Sequence, residues 1–183
     1  RGYFSEQSAL SYAAKLEEDG FDVYTGGVDA YSTLGWFEDS LLSTVLNRAD
    51  YQLAGLIFHE LAHQLVYLPS NTTFNESFAT AVEREGVRRW LTKSNEVSNI
   101  DAALLGYDRQ QQFVDLVADY RDRFESLYKQ ETNEPSMRSQ KLELQQALRE
   151  EYAALKLQWE GYEGYDGWFS ESLNNAQLST VAS

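Results

Sequence analysis

The stretch DYQLAGLIFHELAHQLVY, residues 50–67, decides how the rest of this chain is read. Leu53, Leu56, Ile57, Leu61, Leu65 and Val66 recur at three- and four-residue spacing, which predicts a helix over about 51–67, capped by Asp50 and ended by Pro69. Within it lies HELAH, residues 59–63. Four residues apart on a helix, His59 and His63 stand about 40° apart around the axis and about 6 Å along it, so both rings converge on one ion. Glu60 is turned about 100° from His59, outside the ligand pair but beside an open coordination position, where it serves as general base toward water. The six apolar residues would bury this helix without any metal, and a single histidine among them is often just a hydrogen-bonded, partly buried side chain. The chain has only two histidines, however, and both enclose Glu60 in this one pentapeptide. A zinc site follows.

A catalytic zinc takes three protein ligands and leaves one position open. With no cysteine and no third histidine in the chain, the third ligand has to be a carboxylate. After a turn at PSNTT (69–73), FNESFATAVEREGVRRWL (74–91) repeats apolar residues at helical spacing, with Gly86 as its weak spot. The two helices are expected to be antiparallel neighbours. Glu76, 13 residues past His63, falls in the first turn of the second helix and is the candidate ligand. A glutamate is also favoured at that place simply by the helix dipole.

Working outward, Ser5 precedes a helical pattern over 6–19 that Gly20 stops. Phe21 and Val23 predict a short strand before the glycine pair at 26–27, a second strand spans Asp29 to Trp36, and LLSTVLN (41–47) forms a short helix capped by Asp39 or Ser40. Stripes at Phe113, Leu116, Val117, Tyr120 and Phe124, and at Leu142, Leu148, Tyr152, Leu155 and Trp159, predict two long helices, about 100–129 and 136–160, folded as a hairpin around Pro135. Such stripes are chiefly core, with a partner-binding arm as the other use. The expected fold class is mainly α (α+β): a zincin-like domain with a small N-terminal β element, the HExxH helix, an antiparallel Glu-ligand helix and a long C-terminal helical hairpin. One domain is expected over 1–183, with a metal-site half at 1–95 and a helical half at 96–183.

With 29 acidic against 15 basic side chains, a net charge of −14, the chain repels phosphate backbones and shows no basic stripe to override this. Nucleic acid is therefore not an expected partner. A negative field suits a metal ion or a peptide's free amino terminus, though it serves solubility equally. Lack of cysteine rules out disulfides and thiolate metal sites. No apolar run reaches membrane-spanning length, and the opening Arg1-Gly2-Tyr3-Phe4 has neither an initiator Met nor the look of a signal peptide. A piece of a longer precursor is the expectation.

HExxH followed by NE-x-FAT-x-VE resembles the glutamate-zincin (gluzincin) metallopeptidases, the thermolysin and zinc-aminopeptidase group. That resemblance implies one zinc ion held by His59, His63 and Glu76, with Asn75 beside the ligand and Glu83 as a carboxylate that orients the metal histidines. Twelve residues separate HELAH from Glu76, a shorter connection than in those enzymes. More closely, RGYFSEQSA, AYSTLGWF, FHELAHQL, FNESFATAVE and GVRRWL resemble the bacterial family of predicted zinc aminopeptidases, densely over 1–92 and more loosely to LNNAQL. Members are longer and begin with a secretion or lipoprotein signal, which implies a periplasmic or outer-membrane-tethered place in a Gram-negative bacterium, with the membrane met only through a lipid anchor outside this sequence.

The function implied is zinc-dependent hydrolysis of peptide bonds, an aminopeptidase with a peptide as substrate. Zinc polarises the scissile carbonyl and activates water, Glu60 moves the proton, and a tyrosine steadies the oxyanion. Tyr152, Tyr162 and Tyr165 are the candidates for that donor, with aromatic core as their ordinary use. The glycine-rich motif that binds the substrate amine in related aminopeptidases is absent; GGVDAYSTLGWFED (26–39) is the nearest edge-strand element, with Asp29, Glu38 or Asp39 to take the amine beside ordinary turn and capping roles. Two rival functions are an endopeptidase of the same clan and a non-catalytic, metal-stabilised helical binding protein.

Overall fold

Backbone groups at a helix start need partners, and the chain supplies them from side chains. Ser5 Oγ accepts from the Ser8 amide and opens α1 (Glu6–Glu18). Asn71 Oδ1 accepts from the Phe74 amide and opens α3 (Thr72–Lys93), which follows α2 (Asp50–Leu65). α4 spans Val97–Tyr128, and Asn133 Oδ1 takes the Ser136 amide at 2.9 Å to open α5 (Glu134–Gln158), with Pro135 in its first turn. A 3-10 turn at Asp166–Phe169 and a short α6 (Asn175–Leu178) complete the order. This is a computed structural model, and it describes residues 2–3, 5–26, 48–170 and 173–181.

The helix predicted over 6–19 is α1, and Gly20 closes it as expected. Its φ of +87° lies in the left-handed region that glycine enters freely, and the Phe21 amide reaches back to the Leu16 carbonyl at 3.0 Å. Asp50 is the first residue of α2 and not its cap. The cap is Ala49, whose amide donates to Gln52 Oε1 at 3.2 Å.

The α+β class and the zincin-like fold with an N-terminal β element do not hold. Every regular element among the described residues is helical, and residues 21–26, including the strand expected at Phe21 and Val23, are irregular. A strand needs a neighbour to take its amides and carbonyls. Here the Val23 carbonyl instead accepts from Asn174 Nδ2 at 2.7 Å, and the Asp22 carboxylate takes the Asn175 amide at 3.0 Å. A side chain thus takes the Val23 carbonyl that a ladder would need, and the Asp22 side chain ties the segment to the start of α6. The second strand expected at Asp29–Trp36, the short helix at 41–47 and the amine candidates Asp29, Glu38 and Asp39 lie outside the described residues.

The chain divides into two compact units, Gly27–Asp108 and Arg1–Gly26 with Arg109–Ser183. In the second, Phe113, Val117, Tyr120 and Phe124 of α4 pack with Leu148 and Tyr152 of α5, so the helical hairpin forms. Leu142, read as part of its stripe, is exposed. In the first unit, α2 and α3 pack against each other, and Val87, Leu91 and Ala103 form a small core joined by Tyr51, Phe58, Trp90, Ile100 and Tyr107. No described helix is long and apolar enough to cross a membrane.

Contacts between α2 and α3 run in opposite order: Gly55 meets Glu83 and Val87, Phe58 meets Gly86, and His63 meets Glu76. The pair is therefore antiparallel. Its closeness comes from small residues. A Cβ at Gly86 would lie 2.7 Å from Phe58 Cδ2, and one at Gly55 would lie 3.2 Å from Glu83 Oε1. The buried positions of α2 are Gly55 and Ala62, while Leu61 and Leu65, which the periodicity assigns to its buried stripe, are 48% and 77% exposed.

Candidate metal centre

α2 presents His59 and His63 on one side, with ring centroids 5.0 Å apart and planes at 79°. Both Nε2 atoms face Glu76 from the first turns of α3. Glu76 Oε2 lies 3.2 Å from His59 Nε2, and Oε1 lies 3.7 Å from His63 Nε2. One donor atom from each of the three residues lies within 4.8 Å of the others. Zinc bonds nitrogen and oxygen at about 2.0–2.2 Å, so tetrahedral donors stand roughly 3.3 Å apart, and this cluster has that scale. The donor chemistry fits a zinc ion: two imidazoles, one carboxylate and no thiolate. Glu76 keeps 47% of its side chain exposed, so the cluster opens to solvent on its side, while His63 is 11% exposed.

The turn between the helices is set by Asn75, which is 2% exposed. Its Oδ1 takes the Leu68 amide at 2.8 Å and its Nδ2 donates to the Leu68 carbonyl at 2.9 Å. Leu68 precedes Pro69, which biases it to the extended conformation that offers both groups. A twelve-residue connection thus suffices to bring Glu76 back to the histidines, because the side chain beside it is pinned to the turn.

Behind the cluster, His59 Nδ1 lies 3.1 Å from Glu83 Oε2. With Nδ1–H donating there, Nε2 is directed toward Glu76, the tautomer a metal ligand requires. The Glu83 hydrogen bond raises the pKa of His59 above 6.5 against the opposing effect of burial, and the Glu83 charge and Glu76 add to the rise. Glu83, the carboxylate that the resemblance set beside the histidines, lies against His59. His63 Nδ1 is buried with no hydrogen-bond partner among the described residues.

Tyr107, on α4, escaped the sequence reading. Its ring joins the core of Val87, Leu91 and Ala103 and lies under the Arg84 guanidinium, 5.2 Å from the centroid, and burial, then the charge of Glu83, push its pKa up. No motif marks it. The one sequence signal nearby is Gly55, a glycine inside a helix four residues before His59, which costs about 1 kcal/mol against alanine and so points to a close approach.

Tyr152, Tyr162 and Tyr165 belong to the other unit and join its aromatic cluster. Tyr152 donates to Asp166 Oδ1 at 2.5 Å, Tyr165 stacks on Phe113 at 4.2 Å, and Tyr162 lies under Arg109 at 4.4 Å. Burial, first of all, raises the pKa of Tyr165 to about 12.

No curated protein and no solved structure matches the chain. Residues 1–183, the whole of it, match the family described as "Putative aminopeptidase", and the chain belongs to that family.

Proposed function

We propose that this protein is a zinc-dependent aminopeptidase, with the ligand set of a glutamate-zincin: His59, His63 and Glu76 hold the ion, and Glu60 is the general base. The observation that carries this is the convergence of two imidazole nitrogens and one carboxylate, with a further glutamate, Glu60, left over directly after the first ligand. Structural zinc sites close with four protein ligands, whereas three with a free carboxylate alongside suit catalysis. Membership of the family supports a peptide as substrate.

When bound, zinc would polarise the scissile carbonyl and lower the pKa of water toward 7. Glu60 takes the proton from water as its oxygen attacks the carbonyl carbon, and delivers that proton to the amine as the C–N bond breaks. Glu83 holds the His59 imidazole in one tautomer through the cycle. A placement in the periplasm or on the outer membrane rests on the family resemblance in sequence.

Metal content per chain tests the site. One zinc in the wild type and none in His63→Ala is expected, while Glu60→Gln keeps its zinc and loses hydrolysis of unblocked peptides by at least about 100-fold, the lower end for a general base. Full activity in Glu60→Gln sinks the mechanism. Equal cleavage of amino-blocked peptides would make the enzyme an endopeptidase instead.

A further inference from the structure

A cavity of about 520 Å³ lies in the unit that holds none of the three candidate metal ligands, walled by the end of α1, residues 21–23, α5 and the segment before α6. Sites that take a small molecule have about 300–1,000 Å³. Its walls are tied to one another: Asn174 Nδ2 donates to the Val23 carbonyl at 2.7 Å, the Asn175 amide to Asp22 Oδ2 at 3.0 Å, and Gln145 Nε2 to the Leu173 carbonyl. Two large apolar side chains of the wall stay open to solvent, Phe21 at 63% and Leu142 at 66% exposed. Beside them, Lys141 Nζ and Asp22 Oδ2 stand 3.7 Å apart, too far for a hydrogen bond. We propose that this cavity binds a free α-amino acid with an apolar side chain, its carboxylate on Lys141 and its ammonium on Asp22.

The chemistry of this loose pair selects the ligand. An ammonium has three donors, and among the described residues Lys141 Nζ has Asp22 as its one ion-pair partner and no hydrogen bond, although its side chain is only 29% exposed. Asp22 gives Oδ2 to the Asn175 amide and keeps Oδ1 for another donor. Arg138, the other cation of the wall, is engaged by Glu134 at 2.6 Å. One cation and one anion, 3.7 Å apart, are therefore left to meet an anion and a cation equally close. A free amino acid carries both on a single carbon, whereas a peptide sets them at least one residue apart. Glu17 adds a second carboxylate to the wall and favours a ligand with an ammonium over a bare anion. The apolar side chain then lies against Phe21 and Leu142 and takes both from water. Leu142 belongs to the periodic stripe of α5 without joining the core, and this gives it a use. A free amino acid is also what the proposed reaction releases, and only that link rests on the reading above.

The test is equilibrium dialysis of radiolabelled L-leucine against the full 183-residue chain, in wild type, Lys141→Met, Leu142→Asp and His63→Ala. Lys141→Met keeps the apolar stem and Leu142 is too exposed for folding to depend on it, so the melts of both cavity variants are expected to match wild type. Saturable binding of leucine is expected, weakened at least about tenfold by either cavity change, the scale of one charge-assisted hydrogen bond. His63→Ala is expected to bind leucine as wild type does. Leucinamide and N-acetylleucine, each missing one charge, and glycine, missing the side chain, are expected to compete at least about tenfold less well. Absence of saturable binding to wild type overturns the proposal. So does binding that His63→Ala abolishes and the cavity variants leave intact, because the leucine then sits at the metal centre. N-acetylleucine competing as well as leucine also overturns it and makes the ligand the carboxyl end of a peptide. A wild type that takes up no zinc yet binds leucine overturns the function proposed above and leaves this site standing, so the two failures are told apart.

Discussion

His59 carries two acidic neighbours, Glu83 at Nδ1 and Glu76 at Nε2, at 3.1 and 3.2 Å. Without metal, both contacts favour the imidazolium, and the pKa of His59 is raised above 6.5. The stability this contributes is fully present below the unfolded value near 6.5 and is lost as pH rises through the folded pKa. Zinc needs the neutral ring, so the two equilibria oppose each other. Zinc affinity is therefore expected to fall as pH is lowered, with a midpoint above 6.5, and to flatten toward alkaline pH; isothermal titration in buffers of different ionisation enthalpy would show proton release on binding. Affinity that does not change from pH 8 to pH 6 would mean that His59 is not a ligand. That His59, His63 and Glu76 come together was legible from HELAH, whose helical spacing puts both rings on one side, and from the resemblance carried by the NE dipeptide.

Helices α2 and α3 approach through glycine and alanine, and this sets the spacing of the candidate ligands. Gly86, a weak spot by propensity alone, faces Phe58 so closely that an added Cβ would sit 2.7 Å from the ring. Gly86→Ala would gain about 1 kcal/mol of helix propensity but overpack this contact at about 1–3 kcal/mol. Ring atoms next to Cβ move only with the helix, so the clash wins. Net destabilisation of about 1 kcal/mol, read from the urea midpoint, is expected together with weaker zinc binding as Glu76 and Glu83 shift; a stabilised variant would show that the helices have room to spare. Element existence and order were legible for the five long helices, whose boundaries fall within a few residues of the periodic segments. The exposed Leu61 and Leu65 were not foreseen, because periodicity reports which residues share a face and not which face is covered.

Every candidate metal ligand lies in the unit Gly27–Asp108, while the larger aromatic core lies in the other. Leu148 is fully buried among Tyr120, Tyr152 and their neighbours. Leu148→Ala is expected to cost about 2–5 kcal/mol. Thermal melts should register that loss while zinc affinity at low temperature stays within about twofold of wild type, the agreement expected where two sites do not couple. A large drop in affinity would show that the metal centre depends on the hairpin's packing.

The sequence alone determined the helices and which side chains make up the candidate site. A 3.6-residue period and capping residues act locally, and two histidines around a glutamate admit few other uses. Tertiary structure decided the rest. Whether Phe21 to Val23 becomes a strand depends on a partner, and here Asn174, 151 residues away, takes the Val23 carbonyl first. Whether Glu76 reaches the histidines depends on Asn75 closing the turn on Leu68. Whether His59 is held depends on Glu83 of α3 meeting its Nδ1. Each is a contact between different segments, settled by which groups satisfy one another in space.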